Sequence, residues 1–123
     1  MTSPDTAMKV RRPHRYRLAD DGRTAVPVED LMEWACWVET ASTTLALNSI
    51  GRYRIETSFL TVDFNLSHEG PPILWETVVF VDGGQSTEFG GGRYTNADEA
   101  MAGHLDAVGR VLVAARLAGE YTQ

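Results

Sequence analysis

Gly70-Pro71-Pro72 stands between two β-rich runs and constrains the fold more than any other feature of the chain. Pro71 and Pro72 fix φ and withhold two backbone donors, so no strand runs through them; Gly70 supplies the freedom for a corner. Upstream lies RYRIETSFLTVDFNL, residues 52–66, and downstream ILWETVVFV, residues 73–81. Two such runs joined by a short corner read as an antiparallel hairpin. The upstream run switches face: Ile55 and Phe59 are odd-numbered, while Leu60, Val62 and Phe64 are even. A β-bulge, or burial on both sides, would produce that switch. In the downstream run Leu74, Val78 and Phe80 share one face, and Ile73, Trp75, Val79 and Val81 share the other. That pattern predicts a central strand with both faces largely covered.

Helices are expected on either side of this hairpin. VPVEDLMEWACWVETASTTLALN, residues 26–48, reads as the first, with Glu29, Asp30 and Glu33 near its positive end. Leu31, Trp34, Ala35, Val38 and Leu45 recur at helical spacing, and Met32, Cys36 and Trp37 widen that face. Gly51 terminates it. Cys36, the single cysteine, excludes an internal disulfide and multi-cysteine zinc motifs, and reads as a small buried apolar group. The last helix opens on a capping box, Asn96 with Glu99 or, in the other register, Thr95 with Asp98, and carries a seam of Ala97, Met101, Leu105, Val108, Leu112 and Ala115. Gly103 and Gly109 permit close approach to a neighbour. A short first strand in residues 14–18, and a third one including Arg93 and Tyr94 after the Asp82-Gly83 turn, complete the sheet. Gly90, Gly91 and Gly92 suggest a mobile loop. The expected class is α+β: an antiparallel sheet of three to four strands with two helices packed on it, in the order (β)-α-β-β-β-α. Residues 1–13 read as a flexible basic arm, and 14–123 as a single domain.

Eleven basic residues against seventeen acidic ones leave a net charge of −6. The balance is uneven, because residues 1–18 hold Lys9, Arg11, Arg12, Arg15 and Arg17 against Asp5 alone. An acidic body repels a phosphate backbone, which disfavours nucleic acid as a partner except through Arg11, Arg12, Arg15 and Arg17. Asp98 and Glu99 open the last helix where a double-stranded-RNA-binding domain would present lysines. No apolar run reaches membrane-spanning length, and no apolar stretch follows the basic N-terminal residues as in a secretory signal, so a cytoplasmic location is expected. The glycine-rich DGGQSTEFGGG lacks the Lys-Ser/Thr of a phosphate loop, and no nucleophile elbow or zinc-binding histidine pair occurs. No catalytic residue, metal ligand set or cofactor is therefore assigned. The candidate binding residues are Asp63, His68, Glu69, Trp75, Glu76 and His104. Glu76 lies mid-strand and needs a partner such as Arg54, Arg93 or His104; a general base with a raised pKa is the functional alternative. His104 reads as a hydrogen-bonded residue at the edge of the core; Trp34, Trp37 and Trp75 read mostly as core by position, with an aromatic anchor at a surface as the alternative for Trp37 and Trp75.

The pieces VPVEDLMEWACWVE, SFLTVDFN, GPPILWETVVF and RYTNADEAMAGHLDAV, in that order and spacing, resemble a family of small uncharacterised proteins of bacteriophages and prophages of high-GC bacteria. The matching positions are Asp63, Gly70, Pro71, Pro72, Glu76, Arg93, Tyr94, Glu99, Gly103 and His104. The chain departs from the pattern at Val62 and at Phe64, where that family places a histidine after the aspartate. The resemblance implies a phage origin and expression in the cytoplasm of a bacterial host cell, and implies nothing about catalysis. The expected function is a non-enzymatic module that binds a host or phage protein, as a homodimer, with an anti-defence role such as anti-CRISPR inhibition as its narrower form. The alternative is a small enzyme or metal-binding domain using Asp63, His68, Glu76 and His104.

Overall fold

Two tight turns set the registers of the sheet. The structure, a computed structural model, describes residues 12–120. Strand β3 (Thr44–Ile50) returns as β4 (Tyr53–Phe59) through Gly51 and Arg52. Gly51 has φ 56° at the first central position, as a type II′ turn requires. Strand β5 (Trp75–Val81) returns as β6 (Gly84–Ser86) through Asp82 and Gly83, both at positive φ, the type I′ pattern. Strand β7 (Gly92–Tyr94) pairs with the first half of β5, beside β6 on the second half. The sheet thus has five strands, all antiparallel, with the order β3-β4-β5-β6 and β7 also on β5. A separate hairpin of β1 (Tyr16–Leu18) and β2 (Ala25–Pro27) precedes it. Helix α1 (Leu31–Thr40) follows this hairpin, and helix α2 (Ala97–Leu117) ends the fold. The class is α+β, with helices packed on an antiparallel sheet. No helix among the described residues is long and apolar enough to cross a membrane.

The first helix is shorter than its sequence suggested. Asp30 caps it by accepting from the Glu33 amide at 2.9 Å, but it stops at Thr40, and Ala41 is extended. The residues TLALNSI form β3 instead. Leu45 continues the helical spacing of the first helix, but pairing with β4 from Ala46 to Ile50 wins; Leu45 sits at the register shift against the core and Leu47 opposite Glu56 on the other face. Cys36 is exposed rather than buried, and Leu31 and Met32 are 56% and 69% exposed. Helix α1 docks mainly by its tryptophans. The Trp34 indole donates to the carbonyls of Tyr16 and Thr61 at 3.2 Å each, and Trp37 meets Phe59 edge-on.

The core lies on the odd-numbered face of β4 and β5, where Tyr53, Ile55, Thr57, Phe59, Trp75, Thr77 and Val79 are buried. Against it α2 presses Ala97, Ala100, His104, Ala107, Val111 and Ala115. The buried stripe is therefore rotated from the expected seam. Leu105 is 61% exposed, and Met101, Val108 and Leu112 are half-buried. Small residues let the helix lie close to the sheet, and a Cβ at Gly103 would overlap the Tyr94 hydroxyl. Gly91 and Gly92 serve close packing rather than a mobile loop: Gly92 is in β7, and a Cβ at Gly91 would sit 2.8 Å from the Thr77 carbonyl oxygen.

The face switch in residues 52–66 has a different cause from a bulge in that strand. β4 ends at Phe59, and Thr61, at φ 68°, turns the chain. Asp63 then organises the corner, accepting from the amides of Asn65 at 2.7 Å and Ile73 at 2.9 Å. Asn65 in turn donates to the carbonyls of Glu69 and Pro71.

Candidate functional site

Cross-strand partners share a face, so the registers define what the second side of the sheet presents. One row is Leu47, Glu56 and Val78; the next is Ser49, Arg54, Phe80 and Gln85; a third is Ser58, Glu76 and Arg93. Both helices reach the core from the opposite side, and no described element covers these rows. Glu76, Val78 and Phe80 are accordingly half-buried, which corrects the expectation of a central strand covered on both faces.

The charged groups on this face are positioned by its aromatics. The Arg54 guanidinium lies over the Phe80 ring at 4.5 Å, with Glu56 3.8 Å away. Arg93 stacks over Phe64 at 4.8 Å and donates to Glu76 at 3.1 Å. Arg93 is thus the partner that Glu76 required. Both ion pairs are open to solvent, so each contributes at most about 1 kcal/mol; their larger effect is to hold two guanidinium planes against rings. Two arginines and two glutamates leave the face neutral on an acidic chain.

His104 lies on the other side of the sheet. It is 1% exposed, and its imidazole bridges Thr57 through Nδ1 at 2.8 Å and Asn48 through Nε2 at 2.7 Å. The Thr57 hydroxyl also pairs with that of Thr77 at 2.5 Å. A neutral ring with its proton on Nε2 satisfies the set: Nε2 donates to Asn48, and Nδ1 accepts from Thr57. Burial pushes the imidazole pKa below its usual 6.5. The histidine expected at the core edge is thus in the core itself, and the sheet separates it from Glu76, for which it was one of three candidate partners.

The remaining candidates are dispersed. Asp63 is buried and held by Arg12 Nε at 2.7 Å. Burial acts to raise its pKa, but the amides of Asn65 and Ile73 and the Arg12 guanidinium outweigh it, and the carboxyl stays below 3.8. His68, at φ 59°, and Glu69 are exposed at the hairpin tip. Trp75 is 1% exposed beneath Phe59, so it is a core residue and not a surface anchor. Asp63, His68, Glu76 and His104 do not converge, and among the described residues no three metal-ligating side chains gather. Arg11 lies outside the described residues. Arg12 is engaged by Asp63, Arg15 donates to the Glu29 carbonyl and Arg17 to that of Leu18.

The residues that sequence reasoning passed over are Leu47, Arg54, Glu56, Phe64, Val78 and Phe80. For Arg54, Glu56, Val78 and Phe80 the signal was their shared even-numbered face through 54–58 and 76–80. Compared with family models, curated proteins and solved structures, the chain matches none.

Proposed function

We propose that this chain is a non-enzymatic protein-interaction module whose working surface is the uncovered face of its sheet. One observation carries the reading: Val78 and Phe80 sit half-buried at the centre of a face that no described element covers, with Arg54 and Arg93 held flat on aromatic rings. Binding surfaces concentrate their energy in aromatic and arginine side chains inside a polar rim. The neutral charge of the face suits a protein partner better than a polyanion. The phage resemblance supports a host or phage protein as that partner, with an anti-defence inhibitor as the narrower form.

The test is capture from bacterial lysate with the purified chain and its Phe80→Glu variant. Wild type recovers a stoichiometric partner and the variant, folded to the same melting temperature within a few degrees, does not. A partner held equally by both proteins refutes the assignment of the face, and recovery of no partner refutes the module.

A further inference from the structure

The sheet has one long unpaired edge. β3 is the first strand of the sheet, and among the described residues nothing pairs with its outer side. Its sequence, TLALNSI, holds no charge and no proline, the devices that normally keep an edge from pairing with another chain. Its one irregularity lies between Thr44 and Ala46, leaving the stretch to Ile50 regular. The two-residue turn makes Ile50 and Tyr53 a hydrogen-bonded pair, so alternation turns the amides of Leu47 and Ser49 outward. The opposite side of the sheet is divided between two three-residue strands and offers no continuous edge.

We propose that the outer edge of β3 is the contact between two copies of this chain, paired antiparallel about a two-fold axis. Three observations favour a second copy over any other occupant. An antiparallel edge is complementary to itself, because each outward amide meets the outward carbonyl of the same strand in the other copy. With Asn48 on the axis, Leu47 pairs with the partner's Ser49, and the pairing spans the regular part of the strand. A chain of charge −6 repels its own copy except where charge is absent, and β3 is uncharged throughout.

Helix α2 supplies the third observation. Gly103 faces Tyr94 of β7 on one flank of the buried stripe. Leu105 and Val108 lie on the flank away from Gly103, and Val108 packs on the same cluster as Ile50 of β3. Leu105 is largely exposed, with Met101 and Leu112 in the same row. Two copies joined at β3 bring these rows toward one another above a continuous sheet. The tie from Asn48 to His104 holds the centre of the edge strand in place before association.

The dimer uses the edge, and the partner surface proposed above uses the face, so each stands without the other. Sedimentation of the full chain across micromolar concentrations reads the result. Species of twice 13.6 kDa form as concentration rises, and amide exchange at Leu47 and Ser49 slows in step. Ser49→Pro removes an outward donor without breaking a β3–β4 bond, and Leu105→Glu places like charges on facing helices. Each weakens dimerisation at least tenfold while leaving the monomer folded, and Phe80→Glu leaves the dimer intact. A monomer at all concentrations, or a dimer that survives both Ser49→Pro and Leu105→Glu, overturns the proposal. So does a dimer lost only with Phe80→Glu, which assigns self-association to the face. Amides at Leu47 and Ser49 already protected in dilute monomer overturn it too, since the chain then covers its own edge.

Discussion

Replacing His104 with leucine tests the polar centre of the core. The substitution keeps bulk between Ala100 and Ala107 but deletes the bonds to Thr57 and Asn48. Each such bond is worth about 0.5–1.5 kcal/mol net, so the expected loss near neutral pH is about 1–3 kcal/mol. The lower part of that range is favoured, because the Thr57 hydroxyl keeps Thr77 as a partner and Asn48 is exposed to water. The pH dependence is the sharper criterion. Burial depresses the pKa of His104 in the folded chain, and no carboxylate is among its hydrogen-bond partners. Between that depressed value and 6.5 the unfolded chain binds a proton that the native chain refuses. Stability from this residue is therefore complete above 6.5 and falls as the solution is acidified through the window, by up to about 1.4 kcal/mol per pH unit. Leucine does not titrate, so the stability curves of the two proteins converge in acid, while the carboxylates common to both cancel in the difference. Urea unfolding of both proteins at about pH 7.5, 6.5 and 5.5, followed by tryptophan fluorescence, measures this. A penalty that stays constant or grows towards acid refutes the buried neutral imidazole.

Asp63→Ala leaves the amides of Asn65 and Ile73 and the Arg12 guanidinium without their acceptor, and costs about 3 kcal/mol by the same unfolding assay. The Asp63 carboxyl titrates below 3.8 in the native chain, so its contribution is complete above that value and is lost as pH falls further. Two glycines of α2 should respond with opposite signs in a thermal melt. Gly109→Ala meets no atom within 4 Å and should stabilise by about 0.5–1 kcal/mol. Gly103→Ala gains the same propensity but drives a methyl group into the Tyr94 ring and should destabilise by about 1–3 kcal/mol.

The sequence was most legible where a local signal has one structural meaning. The Gly-Pro-Pro corner, the Asp82-Gly83 turn and the cap at Asn96 each stand where they were read, although Glu99 reaches back to Thr95 rather than to the Asn96 amide, and together they fix the hairpin and the start of α2. Legibility ended where two patterns fit the same residues. In α2 the steps 97, 101, 105, 108 and 97, 100, 104, 107 both describe one face of a helix, and side-chain size favoured the first. The second is buried because the Tyr94 ring needs the space beside Gly103, a contact between residues nine apart that no periodicity within the helix reveals. His104 enters the core by the same rotation, and Thr57 and Thr77 satisfy it there.

The candidate surface was illegible for a related reason. Half-buried Val78 and Phe80 have the same sequence pattern on a covered strand and on an open one, so the outcome depends on whether the chain has a layer left to cover them. A first helix running to residue 48 would have offered more of that layer. Its second half became β3 instead, because the Gly51 turn folds it back along β4, where residues Ala46 to Ile50 pair. That exchange has two consequences at once. It leaves both helices on one side, exposing Val78 and Phe80 on the other, and it sets an uncharged strand at the margin of the sheet. The open face and the unpaired edge are thus products of a single competition between helix and strand in TLALNSI. A substitution that returned this segment to helix would abolish both surfaces together, whereas Phe80→Glu and Ser49→Pro remove them one at a time.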